Sequence, residues 1–174
     1  MKRAALSDTD CSQPGAALVL RRLLRDVPEA RLAWWALLLN GAWEFLQSPL
    51  YADHGRGAGY LLWTRLHCAL GDVLILLAAF WAASLVARSR WWWRQPASVA
   101  GRVFWVAGLA YTVWSEWFNT QVREAWEYAA AMPRVGEVGL APLLQWILLP
   151  PLVLALLQRG AGAAQPSSAE RRGR

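Results

Sequence analysis

The stretch LHCALGDVLILLAAFWAASLVA, residues 66–87, is long and apolar enough to cross a lipid bilayer as a single α-helix. A helix rises about 1.5 Å per residue, so about 20 apolar residues cover the hydrocarbon. This stretch is the most apolar of four similar blocks in the chain. The four blocks predict an all-α fold, a four-helix transmembrane bundle, instead of the core of a water-soluble domain.

The other three blocks lie on either side of this stretch. They read LAWWALLLNGAWEFLQSPLY (32–51), VFWVAGLAYTVWSEWFNT (103–120) and LAPLLQWILLPPLVLALL (140–157). We predict membrane spans over residues 31–51, 63–87, 102–122 and 140–157. Pro49 marks the end of the first span. Pro150 and Pro151 should kink the last span, which a helical bundle tolerates when neighbouring helices satisfy the freed carbonyls.

The composition agrees with a multi-pass membrane protein. Of 174 residues, 56% are apolar and 13 are tryptophan, whereas the charged residues gather between the blocks and at both ends. The net charge of +6 forms no basic stripe on a soluble fold, so nucleic-acid binding is not expected. Two cysteines, Cys11 and Cys68, exclude a disulfide framework. The richness in Ala, Leu, Arg and Trp is typical of a bacterium with a GC-rich genome, which suggests the bacterial inner membrane.

The positions of Lys and Arg predict the orientation, because positively charged loops stay in the cytoplasm. Most of them fall in the N-terminal arm, the middle loop and the tail: Lys2, Arg3, Arg21, Arg22, Arg25, Arg31, Arg88, Arg90, Arg94, Arg102, Arg159, Arg171, Arg172 and Arg174. The other two loops hold only Arg56, Arg65, Arg123 and Arg134. Both termini are therefore predicted to be cytoplasmic. Aromatic belts are expected at the two interfaces, at Trp34, Trp35, Trp91, Trp92 and Trp93 inside and Tyr51, Tyr60, Trp63, Trp126 and Tyr128 outside.

The terminal segments are predicted to lie outside the four-span domain of residues 31–157. Residues 1–30 form a cytoplasmic arm, in which residues 16–27 alternate leucines with arginines at helical spacing. This pattern predicts a short amphipathic helix on the membrane surface, with a solvated linker as the alternative. Residues 158–174 are rich in Gly, Ala and Ser and are expected to be a disordered tail. The expected partners are membrane lipids.

Polar side chains inside the spans indicate a site, because ionisable groups in a membrane are costly to insert. The ionisable ones are Glu44, His67, Asp72 and Glu116, and the amides are Asn40, Gln47, Asn119 and Gln145. In the predicted topology Glu44, His67, Glu116 and Gln145 lie in the outer half, whereas Asn40 and Asp72 lie at about 14 Å or somewhat more below the outer boundary. Glu44, His67, Glu116 and Gln145 come at about 6 to 10 Å below the outer boundary. This asymmetry predicts a pocket open to the outside.

Helical spacing predicts which of these residues share a face. Asn40, Glu44 and Gln47 fall within a wedge of about 60°, as do Thr112, Glu116 and Asn119. Residues 40–47 also resemble residues 112–119, which would place Glu44 opposite Glu116, with chance similarity as the alternative. His67 and Asp72 lie about 140° apart on the second span. Either that helix uses two facets, or Asp72 pairs with Arg65.

This set of side chains suits acid–base chemistry on a lipid or other apolar substrate. In this hypothesis Glu44 and Glu116 are the catalytic acid and base and His67 is a proton shuttle or ligand. The substrate-binding residues would be Asn40, Gln47, Asp72, Asn119 and Gln145. Glu44, His67 and Glu116 are also candidate ligands for a divalent metal. The ExxH spacing of di-iron bundles is missing, and a single membrane histidine argues against bis-histidine haem.

The alternative is a non-catalytic membrane component. In that case the polar cluster is structural glue between helices, as polar residues often are in membranes. The protein would then be an assembly partner of a larger complex, or a carrier of a small solute or of protons. A carrier should have polar groups continuing to the cytoplasmic side, and the spans lack them.

Overall fold

The computed structural model describes residues 15, 18 and 27–162 of the chain. This part contains four long helices, α1 (Pro28–Gln47), α2 (Ala58–Ala87), α3 (Val99–Trp117) and α4 (Leu140–Gly162). The helical fold class is therefore confirmed. The amphipathic helix predicted over residues 16–27 lies outside the described residues except at Leu18, which is helical, and Val27, which is extended and precedes α1.

The ends of the helices follow local backbone chemistry. Helix α1 begins at Pro28, three residues before the predicted span, because proline at the first helical position loses no hydrogen bond. It ends at Gln47, and a 3₁₀ turn that contains Pro49 follows over Ser48–Leu50. Helix α2 begins at Ala58, five residues earlier than predicted, and ends at Ala87 as predicted.

The last two helices differ more from their predicted spans. Helix α3 continues from Trp117 into a π-helical turn, Phe118–Val122, which ends where the span was predicted to end. Helix α4 starts at Leu140 as predicted and runs through Pro150 and Pro151 to Gly162. The predicted start of a disordered tail at residue 158 is therefore wrong, because residues 158–162 extend the helix. The tail after residue 162 lies outside the described part.

The four helices form a ring. Helix α1 packs against α2 and α4, and α3 packs against the same two helices. Nη2 of Arg31 donates a hydrogen bond to the carbonyl oxygen of Leu157 at 2.5 Å. This bond joins the beginning of α1 to the last turns of α4. Helices α1 and α3 are thus diagonal to each other, with room between them for side chains from both.

At one end of the ring, the α1–α2 loop and the α3–α4 loop pair through their backbones. The amide of Ala52 donates to the carbonyl of Glu127, and the amide of Ala129 donates to that of Leu50, both at 2.9 Å. A short antiparallel hairpin, β1 (Arg134–Val135) and β2 (Val138–Gly139), completes this end. The all-α prediction did not include the hairpin. Together the two loops, residues 48–57 and 123–139, form a loop cover over this end of the bundle.

At the other end the core is apolar. Leu32, Phe80, Phe104 and Leu157 are almost fully buried there. Trp92 and Trp93 of the α2–α3 loop also belong to this core, with exposed fractions of 5% and 1%, so their predicted place in an aromatic belt is wrong. Trp92 packs on Phe80 and Phe104 with ring centroids 5.3 Å apart, because the loop folds back into the ring. Tyr51 and Tyr128, predicted for the outer belt, are also buried, within the loop cover.

Two segments of the described residues are long and apolar enough to cross a membrane, Ala58–Ala87 and Leu140–Arg159. Helices α1 and α3 fall short of the same criterion. Both contain charged residues and many tryptophans, which lower their hydropathy. Length and composition thus support membrane association through two of the four helices.

Candidate functional site: a polar cavity beneath the loop cover

A cavity of about 440 Å³ lies at the end of the bundle that the loops cover. All four helices and both loops contribute to it. Its polar lining consists of Glu44, Gln47, Asp53, Thr64, Arg65, His67, Cys68, Asp72, Thr112, Ser115, Glu116 and Gln145. Its aromatic lining consists of Tyr51, Tyr60, Trp63, Tyr111, Trp126 and Trp146. Most residues that the sequence indicated for a site therefore do meet around one space.

Gln145 of α4 connects three helices inside this cavity. Its Nε2 donates to Oδ1 of Asn40 in α1 at 2.9 Å and to Oδ2 of Asp72 in α2 at 2.8 Å. Its Oε1 accepts from Nε2 of Gln47 at 3.3 Å. Gln145 is only 2% exposed, so these bonds replace solvent contacts that burial removes. This amide therefore joins α1, α2 and α4.

Glu44 is held by its own helix. Nε2 of Gln47 donates to Oε1 of Glu44 at 2.8 Å, three residues apart on α1. The indole of Trp43 in turn donates to Oε1 of Gln47 at 3.1 Å. The spacing in the sequence predicted this shared face of Glu44 and Gln47. The carboxyl group therefore has a fixed orientation toward the cavity.

Glu116 is held by the loop cover and not by another helix. Tyr128 donates its hydroxyl hydrogen to Oε2 of Glu116 at 2.5 Å, and the indole of Trp126 donates to the same oxygen at 3.4 Å. Burial and the nearby Glu116 raise the pKa of the Tyr128 hydroxyl, so it stays protonated and remains a donor. Burial and the same carboxylate also raise the pKa of Tyr51. The spacing of residues along the chain does not predict that the α3–α4 loop completes the site.

The sequence left a pairing of Arg65 with Asp72 as one alternative, but the structure gives Arg65 other partners. Its guanidinium forms a salt bridge with Asp53, and its Nε donates to Oγ of Ser48 at 3.1 Å. Two 3₁₀ turns after α1, Ser48–Leu50 and Ala52–Gly55, bring Ser48 and Asp53 over the beginning of α2, where Arg65 lies. Asp72 is two helical turns further along and bonds to Gln145 instead. The proposed pairing of Arg65 with Asp72 is therefore wrong.

His67 and Asp72 both line the cavity, so α2 borders it with two facets. The His67 side chain is exposed, and its ring lies 6.1 Å from that of Trp63, centroid to centroid. Within the described part of the chain, His67 forms no hydrogen bond with Glu44 or Glu116. The structure therefore places His67 at the rim and not between the two carboxyl groups.

Two predicted binding residues do not line the cavity directly. Asn40 is buried behind Gln145, and its Nδ2 donates to the Ala36 carbonyl at 2.8 Å. Asn119 does not line the cavity, but it donates hydrogen bonds to the carbonyl and hydroxyl of Ser115, which does. Asn119 lies in the π-helical turn Phe118–Val122, where the spacing of 100° per residue no longer applies.

The cavity opens between α2 and α3. Its exposed lining residues are mostly on these helices, with Trp63 at 70%, Leu74 at 66% and Tyr111 at 46% exposed, whereas Gln145 at its inner wall is almost fully buried. The distance from Trp63 to Leu74 along α2 is about 16 Å at 1.5 Å per residue. Because the paired loops cover the end of the bundle, the exposed part of the lining forms a slot on its side.

The described residues contain no group of three or more His, Cys, Asp or Glu side chains placed to hold a metal ion. Glu44 and Glu116 are bonded to different partners, and His67 lies at the rim. The metal-binding hypothesis therefore has no ligand set within residues 27–162.

No family model, curated protein or solved structure matches this chain. The fold and the cavity therefore define its class by themselves. It is a helical protein with a four-helix ring, two helices of membrane-spanning length and composition, and a carboxyl-lined cavity beneath paired loops.

Proposed function

We propose that the protein is a four-span integral membrane protein of the bacterial inner membrane, with both termini in the cytoplasm. The support is that every helix of the ring exposes large apolar side chains outward. They include Trp34, Leu38 and Leu46 on α1, Leu70, Trp81 and Leu85 on α2, Val106, Val113 and Trp114 on α3, and Ile147, Leu148 and Leu152 on α4. Water-soluble proteins do not expose apolar surface all around a bundle. The distribution of Lys and Arg supports the orientation.

We further propose that the cavity carries out acid–base chemistry on a lipid or other apolar substrate. One observation carries this proposal: the carboxyl groups of Glu44 and Glu116 reach one cavity from diagonal helices. Acid–base catalysis needs one group to give a proton and another to accept one. The two carboxyl groups have different hydrogen-bond donors. Glu44 accepts from the amide of Gln47, whereas Glu116 accepts from the phenol of Tyr128 and the indole of Trp126. Different environments suit the different roles of acid and base.

The remaining side chains fit supporting roles. Gln47 and Gln145 present amides to the cavity and orient a bound polar group. Asn40 and Asp72 hold Gln145 in position. His67 at the rim is placed to exchange protons between the cavity and the surroundings.

The side opening supports an apolar substrate. In the proposed topology the slot between α2 and α3 faces the acyl chains, and Leu74 and Ile75 form its wall below the carboxyl groups. An apolar chain in this slot would leave its polar end beside Glu44 and Glu116. Substrate would reach the site from the bilayer and not through the loop cover.

The alternative is a non-catalytic membrane component in which the polar cluster holds the helices together. The Gln145 network favours this alternative, since it joins three helices by hydrogen bonds alone. Transport is less well supported, because the buried core at the other end is apolar, as at Leu32, Phe80 and Leu157. An assembly partner would tolerate Glu44→Gln and Glu116→Gln, as long as the helices still pack.

The test compares the purified wild type with Glu44→Gln, Glu116→Gln and the control Glu137→Gln, a change at an exposed loop residue. Each protein is extracted in native lipid, and its bound small molecules are identified by mass spectrometry. We expect Glu44→Gln to carry a bound molecule that the wild type and the control do not accumulate, because it binds substrate without converting it. Identical bound molecules in all four proteins, with unchanged thermal stability, would favour the assembly role.

The topology is tested separately with single cysteines at Gly55 and Ala97 in a background without Cys11 and Cys68. Both positions are exposed, in the α1–α2 and α2–α3 loops respectively. A membrane-impermeant thiol reagent should label Gly55→Cys in intact cells and label Ala97→Cys only after lysis. The reverse pattern would overturn the orientation, and labelling of both in intact cells would overturn the four-span arrangement.

A further inference from the structure

We propose that the ligand of this cavity is an amphiphilic amine, a positively charged ammonium group on an apolar chain. This inference rests on the proposed function and names the substrate class of the same cavity. It depends on the balance of charges, the free hydrogen-bond acceptors and one unpaired hydroxyl in the lining.

The charges of the lining are mostly negative. Four carboxyl side chains line the cavity, Glu44, Asp53, Asp72 and Glu116, against the single guanidinium of Arg65. Arg65 is already engaged by Asp53 and Ser48. A cationic head group is therefore the kind with which these acids can pair.

The free atoms of the lining are acceptors. Both hydrogen bonds that Glu116 accepts within the described residues go to Oε2, which leaves Oε1 without a donor. Gln47 donates to Oε1 of Glu44 and leaves Oε2 for a ligand. An ammonium group has three donors and no acceptor, so it can bond to both oxygens at once. A hydroxyl head group has one donor and can satisfy only one of them.

The hydroxyl of Thr112 is an independent sign of a ligand. Thr112 is 5% exposed and lines the cavity, and its Oγ1 has no hydrogen-bond partner among the described residues. Other helical hydroxyls in this protein bond to the carbonyl four residues back, as Thr64 does to Tyr60 and Thr120 to Glu116. A buried hydroxyl without a partner is unfavourable. Thr112 lies one turn before Glu116 on the same face, so an ammonium bound at Glu116 is close enough to donate to it.

The aromatic lining suits the same ligand. The rings of Trp63, Tyr111, Trp126 and Trp146 border the space next to the carboxyl groups. Aromatic faces attract cations, and tryptophan does so most strongly. The slot beside Leu74 then accommodates the apolar chain. The ligand is thus recognised by charge at one end and by apolar contact at the other.

The experiment measures the binding of three probes with the same chain, dodecylamine, dodecanol and dodecanoate, by titration calorimetry. The protein is held in nanodiscs of phosphatidylcholine, and empty nanodiscs supply the correction for partitioning. We expect the wild type to bind dodecylamine at least about tenfold more tightly than dodecanol, since a hydrogen bond to a charged group is about twice as strong as a neutral one. Dodecanoate should bind least.

Three variants test which residues recognise the amine. Glu116→Gln should weaken dodecylamine binding about tenfold or more and leave dodecanol binding unchanged, while Glu137→Gln should change neither. Thr112→Val keeps the shape and removes the hydroxyl. It should weaken dodecylamine binding and raise the melting temperature of the ligand-free protein, because the unpaired buried hydroxyl is gone.

The outcomes separate this inference from the proposed function. Equal binding of amine and alcohol, or preference for dodecanoate, overturns the amine assignment. If Glu44→Gln accumulates a bound molecule in the native extraction, the acid–base proposal stands without the amine assignment. If Glu116→Gln leaves the affinity for dodecylamine unchanged, the amine assignment is overturned as well, even if the wild type prefers the amine to the alcohol.

Discussion

The Tyr128 hydroxyl lies 2.5 Å from Oε2 of Glu116 and donates a hydrogen bond to it. This contact joins the α3–α4 loop to helix α3 at the cavity. Since the same loop pairs with the α1–α2 loop through Ala52 and Ala129, the contact connects the loop cover to the site beneath it. The orientation of the Glu116 carboxyl group and the closure of the bundle end therefore depend on each other.

Tyr128→Phe should destabilise the protein by about 1 to 3 kcal/mol, because Glu116 loses its shortest hydrogen bond in a buried position. Thermal unfolding in detergent, followed by tryptophan fluorescence, measures the effect. Tyr60→Phe is the matched control, since the Tyr60 hydroxyl only accepts a bond from Arg56 at the surface. Equal effects of the two changes would contradict the role given to Tyr128.

The raised pKa of Tyr128 predicts how the free energy of unfolding changes at alkaline pH. A group whose pKa is raised on folding keeps its contribution to stability below its unfolded pKa, about 10 for tyrosine, and loses it as the pH rises toward the folded pKa. The free energy of unfolding should therefore fall above about pH 10. In Tyr128→Phe this fall should be shallower. Chemical denaturation at a series of pH values measures both slopes, and parallel slopes would count against the assignment.

Gln145→Leu should destabilise the bundle, because it leaves Asn40, Gln47 and Asp72 without their partner from α4. Hydrogen bonds between membrane helices average about 0.6 kcal/mol each, so loss of three predicts a decrease of about 2 kcal/mol. Gln121→Leu is the control, since Gln121 is exposed and bonds only to its neighbour Thr120. Equal melting temperatures for Gln145→Leu and the wild type would show that the hydrogen bonds of Gln145 do not stabilise the protein.

Arg65→Met and Arg90→Met compare a buried with an exposed salt bridge. Arg65 is 4% exposed and pairs with Asp53, whereas Arg90 is 53% exposed and pairs with Glu29. Breaking a buried pair costs about 3 to 5 kcal/mol, and an exposed pair contributes about 0 to 1 kcal/mol. We expect Arg65→Met to unfold at a clearly lower temperature, with the loop cover more accessible to protease. Equal melting temperatures would show that the Arg65 pair contributes little.

Gly108→Ala should destabilise the contact between α3 and α4. A Cβ at Gly108 would lie 2.3 Å from the ring of Trp146, a buried wall of the cavity, and overpacking of this kind costs about 1 to 3 kcal/mol. Gly41→Ala is the control. A Cβ there meets no atom within 4 Å, so the change should be neutral or slightly stabilising. The prediction fails if Gly108→Ala melts at or above the temperature of Gly41→Ala.

The sequence alone determined the helices and the common face of Glu44 and Gln47. Apolar length fixes where a helix can form, and 3.6 residues per turn fixes which side chains share a face. The same regularity failed at Asn119, where the helix changes to a π-turn that the spacing did not reveal.

Only the tertiary structure decided which partners meet across the bundle. Arg65 bonds to Asp53 and not to Asp72, and Glu116 is held by Tyr128 from a loop, because both contacts depend on how two loops fold over the same end. The side opening between α2 and α3 follows from that cover as well. Loop conformation has no helical period, so the spacing of residues along the chain does not specify these contacts.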